Sequence, residues 1–187
     1  MYLFNKIKHY LPLGARIRFY EGLVQPIIDY GCVIWGNTTK ENLKRIHRLM
    51  KMFARSILDI KKAKDSNIVE LFMKLGWIPI DERIKYFKCV MIYKAAHGLS
   101  PDYISNMFNP IHFIHSHNTR ASVRQELYVP NFKSESGRKT FIYSGAQLWN
   151  SLSPYILNAV SLPTFKKRYM VILKLLIYNT DHFWIDQ

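Results

Sequence analysis

Acidic residues are scarce in this sequence: 13 Asp and Glu stand against 27 Lys and Arg, leaving a formal net charge of +14. Cysteine is scarcer still. Two thiols, Cys32 and Cys89, are too few for a disulfide scaffold and fit a reducing compartment. Eight glycines and eight prolines exclude collagen-like and low-complexity classes, and no repeat of fixed period occurs. Long apolar runs are missing too. Lys6, Lys8, Arg16 and Arg18 interrupt the opening stretch where a secretion signal needs uninterrupted apolar residues. The run from Tyr169 to Tyr178 contains Lys174 and reaches only about half of the ~20 residues that span a bilayer. The expectation is an intracellular protein, in cytoplasm or nucleus, with no membrane partner. What the chain has in quantity is apolar side chain, 49% of its 187 residues with 14% aromatic, enough for a packed core despite the charge.

The positive excess is unevenly placed. Residues 37–64 carry +7, against +2 for 1–36, zero for 65–110, +3 for 111–150 and +2 for 151–187. Within that basic stretch, Thr39 is suited to cap a helix, and Leu43, Ile46, Met50, Phe53 and Ile57 recur at steps of three and four. The spacing predicts an amphipathic helix from about Lys40 to Leu58. At ~100° per residue those side chains and Leu49 share one arc, while Lys40, Lys44, Arg48, Lys51 and Arg55 share a second, nearly opposite. At ~1.5 Å per residue this cationic rail is about 22 Å long, enough to meet several phosphates of a nucleic-acid strand. Only Glu41 and Asp59 are acidic between 37 and 64, so the face lacks the alternating charges that an ordinary solvated helix intersperses. Lys61, Lys62 and Lys64 extend the positive field.

The rest of the chain also reads as helices: Leu3 to Tyr10, a second from Ala15 kinked at Pro26, one ending at Gly76, one opened by Pro79 and closed by Gly98, and a brief one from Ser100 to Phe108. Residues 109–139 have no helical period and suggest a loop or small β-hairpin. Helices return at Thr140 to Leu152 and at Pro163 to Asn179 capped by Ser161, with a short turn at Pro154 to Ala159. The fold class is all-α, in one compact unit or divided at residue 108 into 1–108 and 109–187.

Catalytic constellations are lacking. The adjacent pair Asp81 and Glu82 falls in the first turn of a helix, where the helix dipole favours negative charge, and no other carboxylates are grouped for metal-assisted phosphoryl chemistry. No catalytic residue, metal or cofactor is assigned. The cluster His112, His115 and His117 lacks a nearby Cys or carboxylate to complete four ligands, so hydrogen bonding or nucleic-acid contact accounts for it better than metal. Cys32 and Cys89, and Trp35, Trp77 and Trp149, sit in apolar patterns that packing explains. Tyr128, Phe132 and Tyr143 interleave with Arg120, Arg124, Lys133, Arg138 and Lys139, a combination suited to stacking on bases between phosphates.

Three stretches carry a resemblance: GLVQPIIDYGCVIWG at 22–36, LGWIPIDERIKYFKCVMIYKAAHGLSPDYISNMF at 75–108, and HNTRASVRQELYVPN with SGAQLWNSLSPYILNAVSLPTFKKR between 117 and 168. In order and spacing they resemble the region downstream of the polymerase core in reverse transcriptases of LINE-type, jockey-like non-LTR retrotransposons. The resemblance implies a thumb and C-terminal extension, helical elements that hold template and primer. It places the thumb role on the helix at Lys40 to Arg55 and, more loosely, on Asn118, Thr119 and Arg120. The family's catalytic motif, an aromatic residue and Ala before two aspartates, does not occur in this sequence, nor does an endonuclease domain. The resemblance therefore implies a fragment or decayed copy of a larger reading frame that does not polymerise DNA by itself, with nucleic acid and the missing polymerase core as its partners. The alternative is a structural or protein-interaction remnant whose basic face lies against an acidic partner or that core.

Overall fold

Breakers in the sequence set where the helices stop. In the computed structural model, which describes residues 1–60, 68–111 and 126–179, α1 (Tyr2–Ile7) runs into a 3₁₀ turn (Lys8–Tyr10), and Pro12 then precedes α2 (Leu13–Phe19). The expected effect of Pro26 is felt upstream. Proline offers no N–H to the carbonyl of Gly22, and the preceding turn, Tyr20–Val24, widens to a π-helical one before α3 (Gln25–Asp29) resumes. The short α4 (Cys32–Trp35) leads to the basic helix α5 (Lys40–Ile57). Next come α6 (Ile68–Leu75) and α7 (Ile80–Ala96), separated by Gly76, which adopts φ +66° and lets the Trp77 N–H return to the Phe72 carbonyl at 2.9 Å.

The four-residue α8 (Asp102–Ser105) closes this half of the sequence. The expected hairpin is reduced, among the described residues, to one antiparallel bridge between Pro110 and Leu127. Asn150 holds that bridge from outside: its Nδ2 donates to the Leu127 carbonyl at 2.9 Å, and its Oδ1 accepts from the Leu127 N–H at 2.8 Å. The segment expected to be irregular also contains a helical turn, α9 (Glu135–Arg138), because the Ser134 hydroxyl accepts from the Gly137 N–H at 3.1 Å. After α10 (Phe141–Asn150), the expected turn at Pro154 is a short helix, α11 (Pro154–Leu157), for which proline at the first position is preset. The final helix is α12 (Leu162–Asn179), and Ser161 caps it as expected, accepting from the Thr164 N–H at 3.4 Å. The fold is all-α, with helices and no strand among the described residues.

Two compact units divide the chain: Met1–Cys32 with Thr38–Arg83 and the chain from Lys174, and Val33–Asn37 with Ile84–Leu173. The division suggested at residue 108 differs from this one. The observed boundaries include points within α7 and α12, long helices where no breaker or change of composition marks them.

Each unit has an aromatic core. In the first, Phe4 lies 5.1 Å from Phe19 and 5.7 Å from Phe53, Tyr20 lies 5.2 Å from Phe53, and Trp77 stacks on Tyr20 at 4.1 Å. Phe72 meets the edge of Trp77 at 5.9 Å. In the second, Phe165 is shared by Tyr93 at 4.5 Å and Trp149 at 5.9 Å, and the Tyr93 hydroxyl donates to the Ala159 carbonyl at 2.9 Å. Trp77, Trp149, Cys32 and Cys89 are all buried, as packing requires.

Candidate nucleic-acid interface

Helix α5 begins where the sequence places it. Thr39 accepts from the Asn42 N–H at 3.4 Å, and the helix runs from Lys40 to Ile57. Met50, Phe53, Ala54 and Ile57 are buried, so the core lies under one side of the cylinder. Leu43 and Ile46 are half-buried, and Leu49, expected on the buried arc, is exposed.

The rail is less opposed to the core than the sequence suggests. Lys40, Lys44 and Arg48 are exposed at one-turn intervals, but Lys51 and Arg55 are half-buried. Ala54 is the reason. Fully buried, it swings the core toward the cationic arc, which then rides on one flank of the helix. Burial, and after it the neighbouring Arg55, hold the Lys51 ammonium below its ordinary range. Glu41 faces Arg48 at 3.4 Å in an exposed pair, a contact of small energy that a phosphate can replace. Arg45 is a further exposed cation on α5, missed because it lies outside the 80° arc drawn from the five others.

The C-terminal end of α5 is held by the N-terminal helices. Asp59 takes the left-handed conformation, φ 54°, and the Ile60 N–H reaches back to the Arg55 carbonyl at 3.0 Å. Lys8 donates to Asp59 at 2.7 Å and to the Ser56 carbonyl at 3.4 Å, while Arg16 bonds Asp59 and donates to the Ile57 carbonyl at 3.1 Å. Two cations thus close on the negative end of the helix dipole. Hydrogen bonds from Lys8 and then Arg16 lower the Asp59 carboxyl from 3.8 to about 2. A carboxylate held below its unfolded pKa stabilises above that value and loses the contribution as pH falls toward the folded one. The melting temperature is therefore expected to drop between pH about 4 and about 2, and Asp59→Asn, which keeps the left-handed backbone accessible, to flatten that part of the profile measured by circular dichroism.

The second basic group belongs to the other unit. Lys133 is exposed, Arg138 donates through Nε to the Phe132 carbonyl at 3.2 Å, and Lys139 pairs with Glu135 at 2.5 Å. Phe132 lies against Gly137, where a Cβ would come within 2.7 Å of it, and its ring is 6.1 Å from that of Tyr143. That ring is a packing element, and of the three aromatics proposed for stacking Tyr128 is the exposed one. Arg120 and Arg124, with Asn118, Thr119, the histidines at 112, 115 and 117, and the lysines at 61, 62 and 64, lie outside the described residues. The rail and the 133–139 group are thus not assembled into one site within either unit.

No group of His, Cys, Asp and Glu suited to a metal ion occurs among the described residues, and no described helix is long and apolar enough to cross a membrane. Comparison with family models, curated proteins and solved structures finds nothing that matches the chain.

Proposed function

We propose that this chain is a non-catalytic nucleic-acid-binding segment whose helix α5 holds the sugar-phosphate backbone of a template-primer duplex without reading its sequence. The observation that carries this reading is the row Lys40, Lys44 and Arg48, exposed one turn apart on a helix anchored by its other side and continued by Lys51 and Arg55. Charge of one sign repeated along a rigid helix suits a repeated anion. The resemblance to reverse transcriptases of non-LTR retrotransposons supports a template-primer as that anion and a larger polymerase as its source. The test is fluorescence anisotropy of a mixed-sequence RNA–DNA hybrid titrated with the chain at salt concentrations of about 50 to 200 mM. Five neutralised phosphates give a log–log slope of about −4 to −5; binding that ignores salt overturns the reading.

A second reading has its own observation. Leu23, Ile27 and Tyr30 are exposed within eight residues of chain, with Ile27 at 76% exposure, although Tyr20 just before them is buried. Exposed apolar side chains grouped in this way suit a protein partner such as a polymerase core. Light scattering discriminates: concentration-dependent association abolished by Ile27→Glu, in a chain with no salt-dependent binding to the hybrid, favours the interaction remnant.

A further inference from the structure

His47 lies on α5 three residues after Lys44 and four before Lys51, the two spacings that make side chains neighbours on a helix surface. It sits at the edge between rail and core. Half-buried, its ring is 5.6 Å from that of Phe72 on α6. The charged groups acting on the imidazole include Lys51 on its own helix and Asp81 from the first turn of α7, and α6 presents the Phe72 ring. Burial lowers its pKa, Asp81 opposes that, and Lys51 adds to it. Such a histidine is neutral near neutral pH, and it lies beside the cations that a phosphate chain would occupy.

We infer that His47 is a conditional member of the interface, taking up one proton from solvent when a phosphate chain lies against Lys44 and Lys51, so that the polyanion binds more tightly as pH falls. The inference rests on the reading of α5 as the nucleic-acid interface. The linkage follows from charge alone: a bound phosphate offsets the Lys51 ammonium and adds a negative neighbour, and the Asp81 carboxylate already favours the charged imidazole. A change of one pKa unit between free and bound states corresponds to a tenfold change in affinity, so an enhancement of about three- to tenfold is expected.

The experiment measures affinity for the mixed-sequence RNA–DNA hybrid at pH about 8 and about 5.5, at fixed salt, for the wild-type chain and for His47→Gln. The expected result, each protein being compared with itself at the higher pH, is a gain at the lower pH that the variant lacks; other histidines contribute equally to both. Nuclear magnetic resonance of the wild-type imidazole carbons serves if the variant fails to fold, with the His47 pKa expected to rise when the hybrid is added. Binding whose pH dependence is the same in both proteins, or an imidazole pKa unmoved by the hybrid, overturns this inference and leaves the interface standing. Absence of binding at both pH values overturns the interface and this inference with it.

Discussion

Changing Lys40, Lys44 and Arg48 together to Gln is expected to weaken hybrid binding by roughly 10²- to 10³-fold near 0.1 M salt and to reduce the salt slope by nearly three. The three side chains are exposed and spaced by single turns, so their removal takes charge from the surface without opening the core. Folding should survive, because Gln is a good helix former and the buried positions Met50, Phe53, Ala54 and Ile57 are untouched. Lys51→Gln with Arg55→Gln is expected to do less, since both side chains are half-buried. Glu41→Gln has the opposite sign. It removes the acid facing Arg48, so binding should strengthen a few-fold and the slope steepen by up to one. Salt titrations on all three variants check the set together, and an unchanged slope in the triple variant removes α5 from the interface.

How much of this arrangement the residues announce depends on whether a signal is local. The limits of α5 are legible because Thr39 caps it and the apolar positions recur with helical period. Gly76 and Gly98 end their helices at φ +66° and +65°, conformations glycine adopts freely. The position of the rail is less legible, because the pattern of large apolar residues gives no weight to Ala54, which is fully buried and turns the core toward Lys51. The clasp of Lys8 and Arg16 on Asp59 joins residues more than 40 positions apart, and neither periodicity nor composition can pair them. His47 was partly within reach of the sequence: its spacing from Lys44 and Lys51 is plain, while its burial against Phe72 and the influence of Asp81 needed coordinates. Resemblance and local physics meet on α5 alone.

Trp77→Ala is expected to destabilise the first unit by about 3–5 kcal/mol, the cost of truncating a large aromatic in a core that cannot collapse around the gap. Trp77 is 5% exposed, stacked on Tyr20 at 4.1 Å and met by the Phe72 edge at 5.9 Å. Through Tyr20, itself 5.2 Å from Phe53, the ring adds a second link between α6 and the underside of α5, beside the direct contact of Phe72 with His47. A loss of this size is a large part of the ~5–15 kcal/mol that holds a domain folded. Denaturant unfolding should show a lower midpoint, and amide hydrogen exchange should quicken in α1, α5 and α6. The consequence for function separates charge from geometry. Every cation of the rail remains in Trp77→Ala, yet hybrid binding should weaken and recover with Trp77→Phe, which keeps a ring against Tyr20. If binding is instead retained in full under conditions where Trp77→Ala has lost its helical circular-dichroism signal, the cations act as a flexible basic segment, and the helix contributes nothing to their spacing.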